Sequence, residues 1–164
     1  MTAEDKQKAG MELSSILNPE AVKLIGNTTS KKRLLQDVCD LAFSAYGLDV
    51  NTSLEALLDR ESLGPTGVGQ GVALPHARLP DLTSVVGCFV RLEKPVDFGS
   101  VDRRPVDLIF ALFAPANSGV DHLKALAAVS RTMRDPSVCQ KLRANTDPMT
   151  LHAVLTETQG SQAA

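Results

Sequence analysis

Arg60-Glu61-Ser62-Leu63-Gly64-Pro65-Thr66-Gly67-Val68-Gly69-Gln70-Gly71-Val72-Ala73-Leu74-Pro75-His76-Ala77-Arg78 is the stretch whose reading decides the fold. Its nineteen positions hold four glycines, two prolines, two arginines and one histidine. Glycine admits close backbone approach to an anion, arginine pairs with phosphate, and a neutral imidazole can act as a nucleophile. A segment built for packing alone does not need all three. Val72-Ala73-Leu74 reads as a short strand that Pro75 ends, because proline holds the preceding residue extended and has no N–H to give a ladder. His76 then falls at the C-terminal edge of a strand, where α/β sheets tend to place ligands. Gly67, Gly69 and Gly71 alternate at period two. The plain reading is a strained hairpin or bulge; the functional one is bare backbone against a phosphate or a partner protein.

Upstream of this stretch, Asn51 or Thr52 is expected to cap a helix with Leu54, Leu57 and Leu58 on one face, ending at Gly64-Pro65. Before it, Ser30 caps a helix with Leu34, Leu35, Val38, Leu41 and Ala42 at helical spacing, stopped by Gly47. Residues 21–25 read as a strand. Downstream, 85–92 and 106–113 read as strands buried on both faces, with a turn region over 93–99. Asp121 opens a helix expected to turn Leu123, Leu126, Ala127 and Met133 to the core. Asp135-Pro136 and Asp147-Pro148 each start another, an Asp cap followed by proline in the first turn. The order of strand, two helices, three strands and more helices predicts a single α/β domain: a mixed sheet with helices on both faces. Residues 1–10 and 159–164 read as flexible tails around a domain over 11–158.

Composition narrows the function classes. A net charge of -2, 4% aromatic residues and no Trp argue against a nucleic-acid surface or a base-stacking platform. No apolar run approaches the roughly 20 residues of a membrane span, and the polar N-terminus lacks an apolar signal core. No membrane insertion is expected, and the cytoplasm is the expected location. Cys39, Cys88 and Cys139 are odd in number and form no Cys-x-x-Cys pair, so neither a zinc knuckle nor a disulfide frame is expected. Cys88, in an apolar run, reads as a small buried hydrophobe.

Several residues could carry chemistry. If a backbone carbonyl accepts from Nδ1–H of His76, Nε2 is left free to attack phosphorus; the plain alternative is a turn histidine with no role. His122 follows Asp121 at a helix start, where anions are favoured, and could equally be a surface or capping residue. His152 reads as an ordinary helix residue. Arg60 and Arg78 bracket the glycines and could stabilise a phosphorylated histidine, or be solvated charges. No Gly-x-Gly-x-x-Gly, Walker A or Gly-x-Ser-x-Gly pattern is present, so nucleotide and α/β-hydrolase sites are poorly supported. His76 and His122 with an acidic residue could hold a metal, but no His-x-x-His spacing supports it, and neither metal nor cofactor is expected.

Leu58-Asp59-Arg60-Glu61, Gly64-Pro65-Thr66-Gly67-Val68-Gly69-Gln70-Gly71 and Leu74-Pro75-His76 together resemble the active-site segment of phosphotransferase-system enzyme IIA domains of the fructose/mannitol type, nitrogen-regulatory branch. The runs Val85-Val86-Gly87-Cys88-Phe89-Val90, Arg104 to Pro115, and His122-Leu123-Lys124-Ala125-Leu126-Ala127 are similar to the same family. The resemblance implies a five-stranded mixed sheet flanked by helices. It also implies a phosphate relay in which enzyme I charges an HPr-like carrier, and the carrier passes the phosphoryl group to His76 at Nε2. His122 would support that group, and Arg60 would match the family's active-site arginine. Thr66, Gly67, Ala77 and Arg78 would line the pocket. Relatives commonly have Pro-His-Gly-Lys where this chain has Pro75-His76-Ala77-Arg78, so Ala77 is the departure to watch.

The implied function is a phosphocarrier and phosphorylation-dependent regulator. Its implied donor is an HPr-like carrier of the nitrogen branch, and its implied targets are proteins such as potassium transporters or sensor kinases. The alternatives are a transport IIA feeding a fructose- or mannitol-type IIB domain, an interaction module without phosphotransfer, and a metal-dependent hydrolase.

Overall fold

The computed structural model describes residues 11–163, with side chains through residue 157. The expected N-terminal tail, 1–10, and residue 164 lie outside the described residues. The backbone of 159–163, expected as tail, instead continues the last helix to Ala163. Extending a helix already nucleated costs little, and no proline interrupts it there.

Two 3-10 turns, Leu13–Ser15 and Pro19–Ala21, lead into β1, Val22–Ile25. Helix α1, Lys31–Tyr46, starts where the Ser30 hydroxyl accepts from the Arg33 N–H at 3.1 Å, a cap worth about 1 kcal/mol. It buries Leu34, Leu35, Val38, Cys39, Leu41 and Ala42, the face its spacing predicts. Helix α2, Val50–Ser62, begins earlier than expected, because its cap is Asp49 rather than Asn51 or Thr52. The Asp49 carboxylate accepts from both the N–H and the hydroxyl of Thr52, at 2.9 and 2.8 Å. Asn51 and Thr52 already lie inside the first turn. Leu57 is fully buried, whereas Leu54 and Leu58 only flank the core.

The remaining strands are β2, Gly67–Gly69; β3, Val72–Ala73; β4, His76–Leu79; β5, Val86–Val96; and β6, Val106–Pro115. They build a mixed sheet in the order β1-β5-β6-β3-β2, with β4 also on β6. β1 runs parallel to β5 and β5 antiparallel to β6. β3 and β4 both run parallel to β6. Among the described residues the sheet therefore counts six strands, where five were expected. Val72 faces Leu108 and His76 faces Leu112, so the register is the same on both sides of Pro75. Pro75 interrupts one line of chain along β6; it does not end it. At the break the Leu74 N–H turns aside to the Thr66 carbonyl at 2.9 Å. The Pro75 carbonyl returns to the ladder by accepting from the Leu112 N–H at 2.9 Å. β5 also outruns its expected end, because an irregularity between Arg91 and Val96 absorbs Pro95 and restores pairing at Val96 with Val106.

α1 packs on β5, and α2 packs on α1 and β4. Helices α3, Val120–Met133, α4, Pro136–Arg143, and α5, Pro148–Ala163, form a second group whose α3 lies on β6 and α5 on β1. α3 turns a different face inward from the one expected. His122, Ala125, Ala128, Val129, Thr132 and Met133 are buried, while Leu123 is 65% exposed, Ala127 is exposed and Leu126 is only partly covered. Small residues meet the sheet because they let the helix approach it closely, and that choice overrides the hydrophobicity of the leucines. The core between the layers is filled by Phe89, Phe98, Phe110 and Phe113 with aliphatic neighbours. All three cysteines are free and buried. Burial pushes the Cys39 thiol up to about 12 and raises Cys88 further, which fits the packing role read for Cys88. Among the described residues, no helix is long and apolar enough to cross a membrane.

Candidate active site

Four side chains from three elements meet at one open cleft of about 460 Å³: Arg60 from the last turn of α2, His76 and Arg78 from β4, and His122 from the first turn of α3. Ala56, Asp59, Leu63 and Ala77 complete its lining. In β4 alternate residues share a face, which is why His76 and Arg78 both reach the cleft.

His76 opens β4, and its orientation follows from the break at Pro75. The Leu74 carbonyl is freed from the ladder and lies 2.9 Å from Nδ1 of His76. With the proton on Nδ1 donated to that carbonyl, Nε2 carries the lone pair. The Arg60 Nε–H donates to Nε2 at 3.3 Å, and Arg60 is itself held by donating from Nη1 to the Gly64 carbonyl at 3.0 Å. The sequence reading required some backbone carbonyl at Nδ1; the residue that provides it is Leu74, two positions upstream.

His122 stands edge-on to His76, with ring centroids 5.6 Å apart and planes at 68°. The Arg78 Nε–H donates to its Nδ1 at 3.3 Å. That places the proton of the neutral ring on Nε2, an atom that is buried and has no hydrogen-bond partner. Desolvation by burial, followed by the charges of His76 and Arg78, holds the His122 pKa below its ordinary 6.5. The site thus presents one lone pair met by the Arg60 Nε–H, one unused N–H donor and two guanidinium groups within the same cleft. This arrangement suits an anionic group that is attacked at His76 and held at His122.

The other expected pocket residues divide. Ala77 and Arg78 line the cleft; Thr66 and Gly67 do not. Thr66 is 5% exposed and gives both its N–H and its hydroxyl to the Glu61 carboxylate. Gly67 packs against Ser100 so closely that a Cβ would collide with the Ser100 side chain. Gly69 lies beside Asp102, and Gly71 beside Arg143 and Asp107. These glycines build the irregular β2–β3 hairpin rather than a wall around His76. His152 donates from Nε2–H to the Leu17 carbonyl at 2.9 Å, tying α5 to the segment before β1.

Glu61 is the neighbour that the sequence reading passed over. Its side chain is 5% exposed and pairs with the Lys31 Nζ at 2.9 Å. No periodic pattern marks it, because a carboxylate next to Arg60 looks like ordinary helix-end charge. Among the described residues no cluster of three or more His, Cys, Asp or Glu could hold a metal. The guanidinium groups at both histidines would also repel a cation.

The chain matches the family model "Phosphoenolpyruvate-dependent sugar phosphotransferase system, EIIA 2" over residues 15–158. It is 44% identical to the nitrogen regulatory protein of Bradyrhizobium diazoefficiens, covering 88% of this chain and 95% of that protein. It is 40% identical to the nitrogen regulatory protein of Escherichia coli K12, covering 92% and 93%. Among solved structures it is similar to nitrogen regulatory protein IIA-Ntr from Neisseria meningitidis, with a TM-score of 0.81, 34% identity and coverage of 87% and 97%. The IIA mannitol structure from Escherichia coli shares the fold, with a TM-score of 0.71 at 21% identity, covering 84% and 97%.

Proposed function

The chain belongs to the EIIA 2 family of the phosphoenolpyruvate-dependent sugar phosphotransferase system, and from this premise we propose that it is a nitrogen-regulatory IIA protein phosphorylated on His76 Nε2 by an HPr-like carrier. The observation that carries the assignment is the pairing of His76 Nδ1 with the Leu74 carbonyl, which leaves Nε2 as the nucleophilic nitrogen.

The Nε2 lone pair attacks the phosphorus of the phosphorylated carrier, a P–N bond forms at His76, and the bond to the carrier breaks with its electron pair returning to the carrier. The positive charge that develops on the His76 ring is shared with the Leu74 carbonyl through the retained Nδ1–H. The Arg60 Nε–H gives up its bond to Nε2 as the P–N bond forms and turns to an oxygen of the transferring group, whose negative charge it meets. That charge also meets the unpartnered Nε2–H of His122. A donor fixed in a desolvated site stabilises a transition-state oxyanion without reorganisation. Return of the phosphoryl group follows the same path in reverse.

The regulatory reading rests on the nitrogen regulatory relatives. Phosphorylation adds about 1.5 to 2 negative charges to an open cleft. Partner proteins touching its rim, such as potassium transporters or sensor kinases, would then bind one state better than the other. The protein would act in the cytoplasm, with the carrier and phosphoenolpyruvate.

The test is incubation with phosphoenolpyruvate, enzyme I and the nitrogen-branch HPr-like carrier. Acid-labile, base-stable phosphate is expected on the wild type and none on His76→Ala. Label persisting on His76→Ala would move the site elsewhere; an unlabelled wild type would end the phosphocarrier reading. Onward transfer to a cysteine of a fructose- or mannitol-type IIB domain would favour the transport role instead.

A further inference from the structure

The two contacts that orient His76 lead back to Glu61, one to its buried carboxylate and the other to its main chain. One route runs from the Glu61 side chain to the N–H and hydroxyl of Thr66. The Thr66 carbonyl then accepts from the Leu74 N–H at 2.9 Å, and the Leu74 carbonyl faces Nδ1 of His76. The other route runs through the loop that closes α2. The Gly64 N–H donates to the Glu61 main-chain carbonyl at 3.1 Å, the Gly64 carbonyl accepts from Arg60 Nη1 at 3.0 Å, and Arg60 Nε points at Nε2 of His76. The Glu61 side chain therefore stands at the root of the support for Nδ1, while the contact at Nε2 rests on the backbone alone.

The carboxylate is itself fixed from the neighbouring helix. The Lys31 ammonium, in the first turn of α1, pairs with Glu61 Oε2 at 2.9 Å and donates to the Phe98 carbonyl at 3.2 Å. It also sits 4.4 Å from the centre of the Phe98 ring. A buried carboxylate that receives three donors is locked in one orientation, and its alternatives leave buried polar groups unpaired. The segment 63–66 has no regular structure of its own. Without the Glu61 side chain, Thr66 loses both of its anchors and the Thr66 carbonyl that steadies Leu74 would be free to drift.

We infer that Glu61 is a positioning residue for phosphoryl transfer: through Thr66 and Leu74 its carboxylate sets the tautomer of His76, while touching neither the ring nor the phosphoryl group. This rests on the reading of His76 as the phosphoryl acceptor, but its structural half can be measured without phosphate. Lys31 and Phe98 extend the same support into α1 and the loop after β5, so the site is braced by residues far from the cleft.

The experiment uses Glu61→Gln, nearly the same shape without the charge, and Glu61→Ala, with fold checked by circular dichroism. The readouts are the ¹⁵N shifts of His76 at a fixed alkaline pH and the phosphorylation rate at varied concentrations of the phosphorylated carrier. His76 is expected in the Nδ1–H form in the wild type. In Glu61→Gln the population should move towards Nε2–H, and in Glu61→Ala further. The maximal rate should fall roughly 10-fold or more while the carrier concentration giving half that rate changes less than about 3-fold, the signature of lost orientation rather than lost docking. Folded variants with wild-type ¹⁵N shifts and maximal rate would overturn the inference, as would a change confined to carrier affinity. If Glu61→Ala does not fold, Glu61→Gln decides. A wild type with the Nδ1–H tautomer that takes no phosphate would refute the acceptor reading and leave the orientation by Glu61 to be judged on the shifts alone.

Discussion

Arg78 Nε lies 3.3 Å from Nδ1 of His122, so an exposed cation decides which nitrogen of a buried imidazole carries the proton. The consequence is a donor at Nε2 with nothing to donate to. In Arg78→Gln the constraint on the tautomer weakens, and one of the charges that lowers the His122 pKa is gone. The His122 midpoint, followed by NMR titration, should lie below 6.5 in the wild type and rise in Arg78→Gln. A midpoint unmoved by the substitution would show that the guanidinium does not act on the ring.

His122 also makes stability depend on pH. The folded pKa is depressed below the ordinary 6.5, so below that pH the unfolded chain binds a proton that the folded chain resists. The contribution of His122 to stability is therefore undiminished above about pH 7 and is lost as pH falls from there through 6.5 to the depressed folded value. His122→Gln removes this dependence. Its urea midpoint should fall less steeply between pH 7 and pH 5 than that of the wild type; parallel curves would count against it. The same variant should fold and accept phosphate at least 10-fold more slowly, since the flexible Gln amide does not hold an N–H at the place of the fixed, buried Nε2–H.

Arg60→Met keeps the packing of the long side chain but removes the charge at Nε2 of His76. The rate of phosphate acceptance is expected to fall about 100-fold, within the range for losing one transition-state donor. Rapid-quench labelling measures it, and a rate within 3-fold of the wild type would show that Arg60 is not used.

Ala77 sits inside β4 opposite Phe113, and among the described residues only Gln70 and Arg103 have positive φ without being glycine. The position after His76 thus needs no left-handed backbone, and the methyl group is compatible with the site. Ala77→Gly should leave phosphate acceptance unchanged and cost roughly 0.5–1 kcal/mol of stability through backbone entropy. An accelerated rate in the variant would show that the methyl group does obstruct the nucleophile.

Gly71 separates hairpin from site. Its φ is 79°, and a Cβ there would lie 2.5 Å from Arg143 Nη2 and 2.9 Å from Asp107 Oδ1, which form an ion pair at 2.8 Å. Gly71→Ala is expected to destabilise the fold by about 1–3 kcal/mol through strain and the disturbed pair. Phosphate acceptance by the folded fraction should stay normal. Thermal unfolding and labelling measured side by side check both halves.

What could be read before the structure follows physical lines. Caps with a side-chain acceptor and a proline or glycine at the boundary were legible, as at Ser30, Asp135 and Asp147. Buried strands were legible from continuous apolar runs, though Pro95 concealed the end of β5. The inward face of α3 was not: 123–129 is apolar nearly all round, so its period does not choose a face, and the contact with β6 does. His76, His122 and Arg60 could be proposed from residue chemistry and resemblance. The partnership of Arg78 with His122 and the position of Glu61 could not, because they join residues 44 and 30 positions apart in the chain, His122 to Arg78 and Glu61 to Lys31. Gly69 and Gly71 left two readings open, hairpin or ligand loop, because a glycine tolerated for a turn and one cleared for a ligand look the same in one dimension.

The unbroken register across Pro75 ties His76 to the best-protected part of the molecule. β3 and β4 lean on one central strand, so the nucleophile should not open independently of the sheet. Amide exchange at Leu112, whose N–H bonds to the Pro75 carbonyl, should then report on the poise of His76. A partner could control access to this histidine by covering the cleft, but not by loosening the strand that carries it.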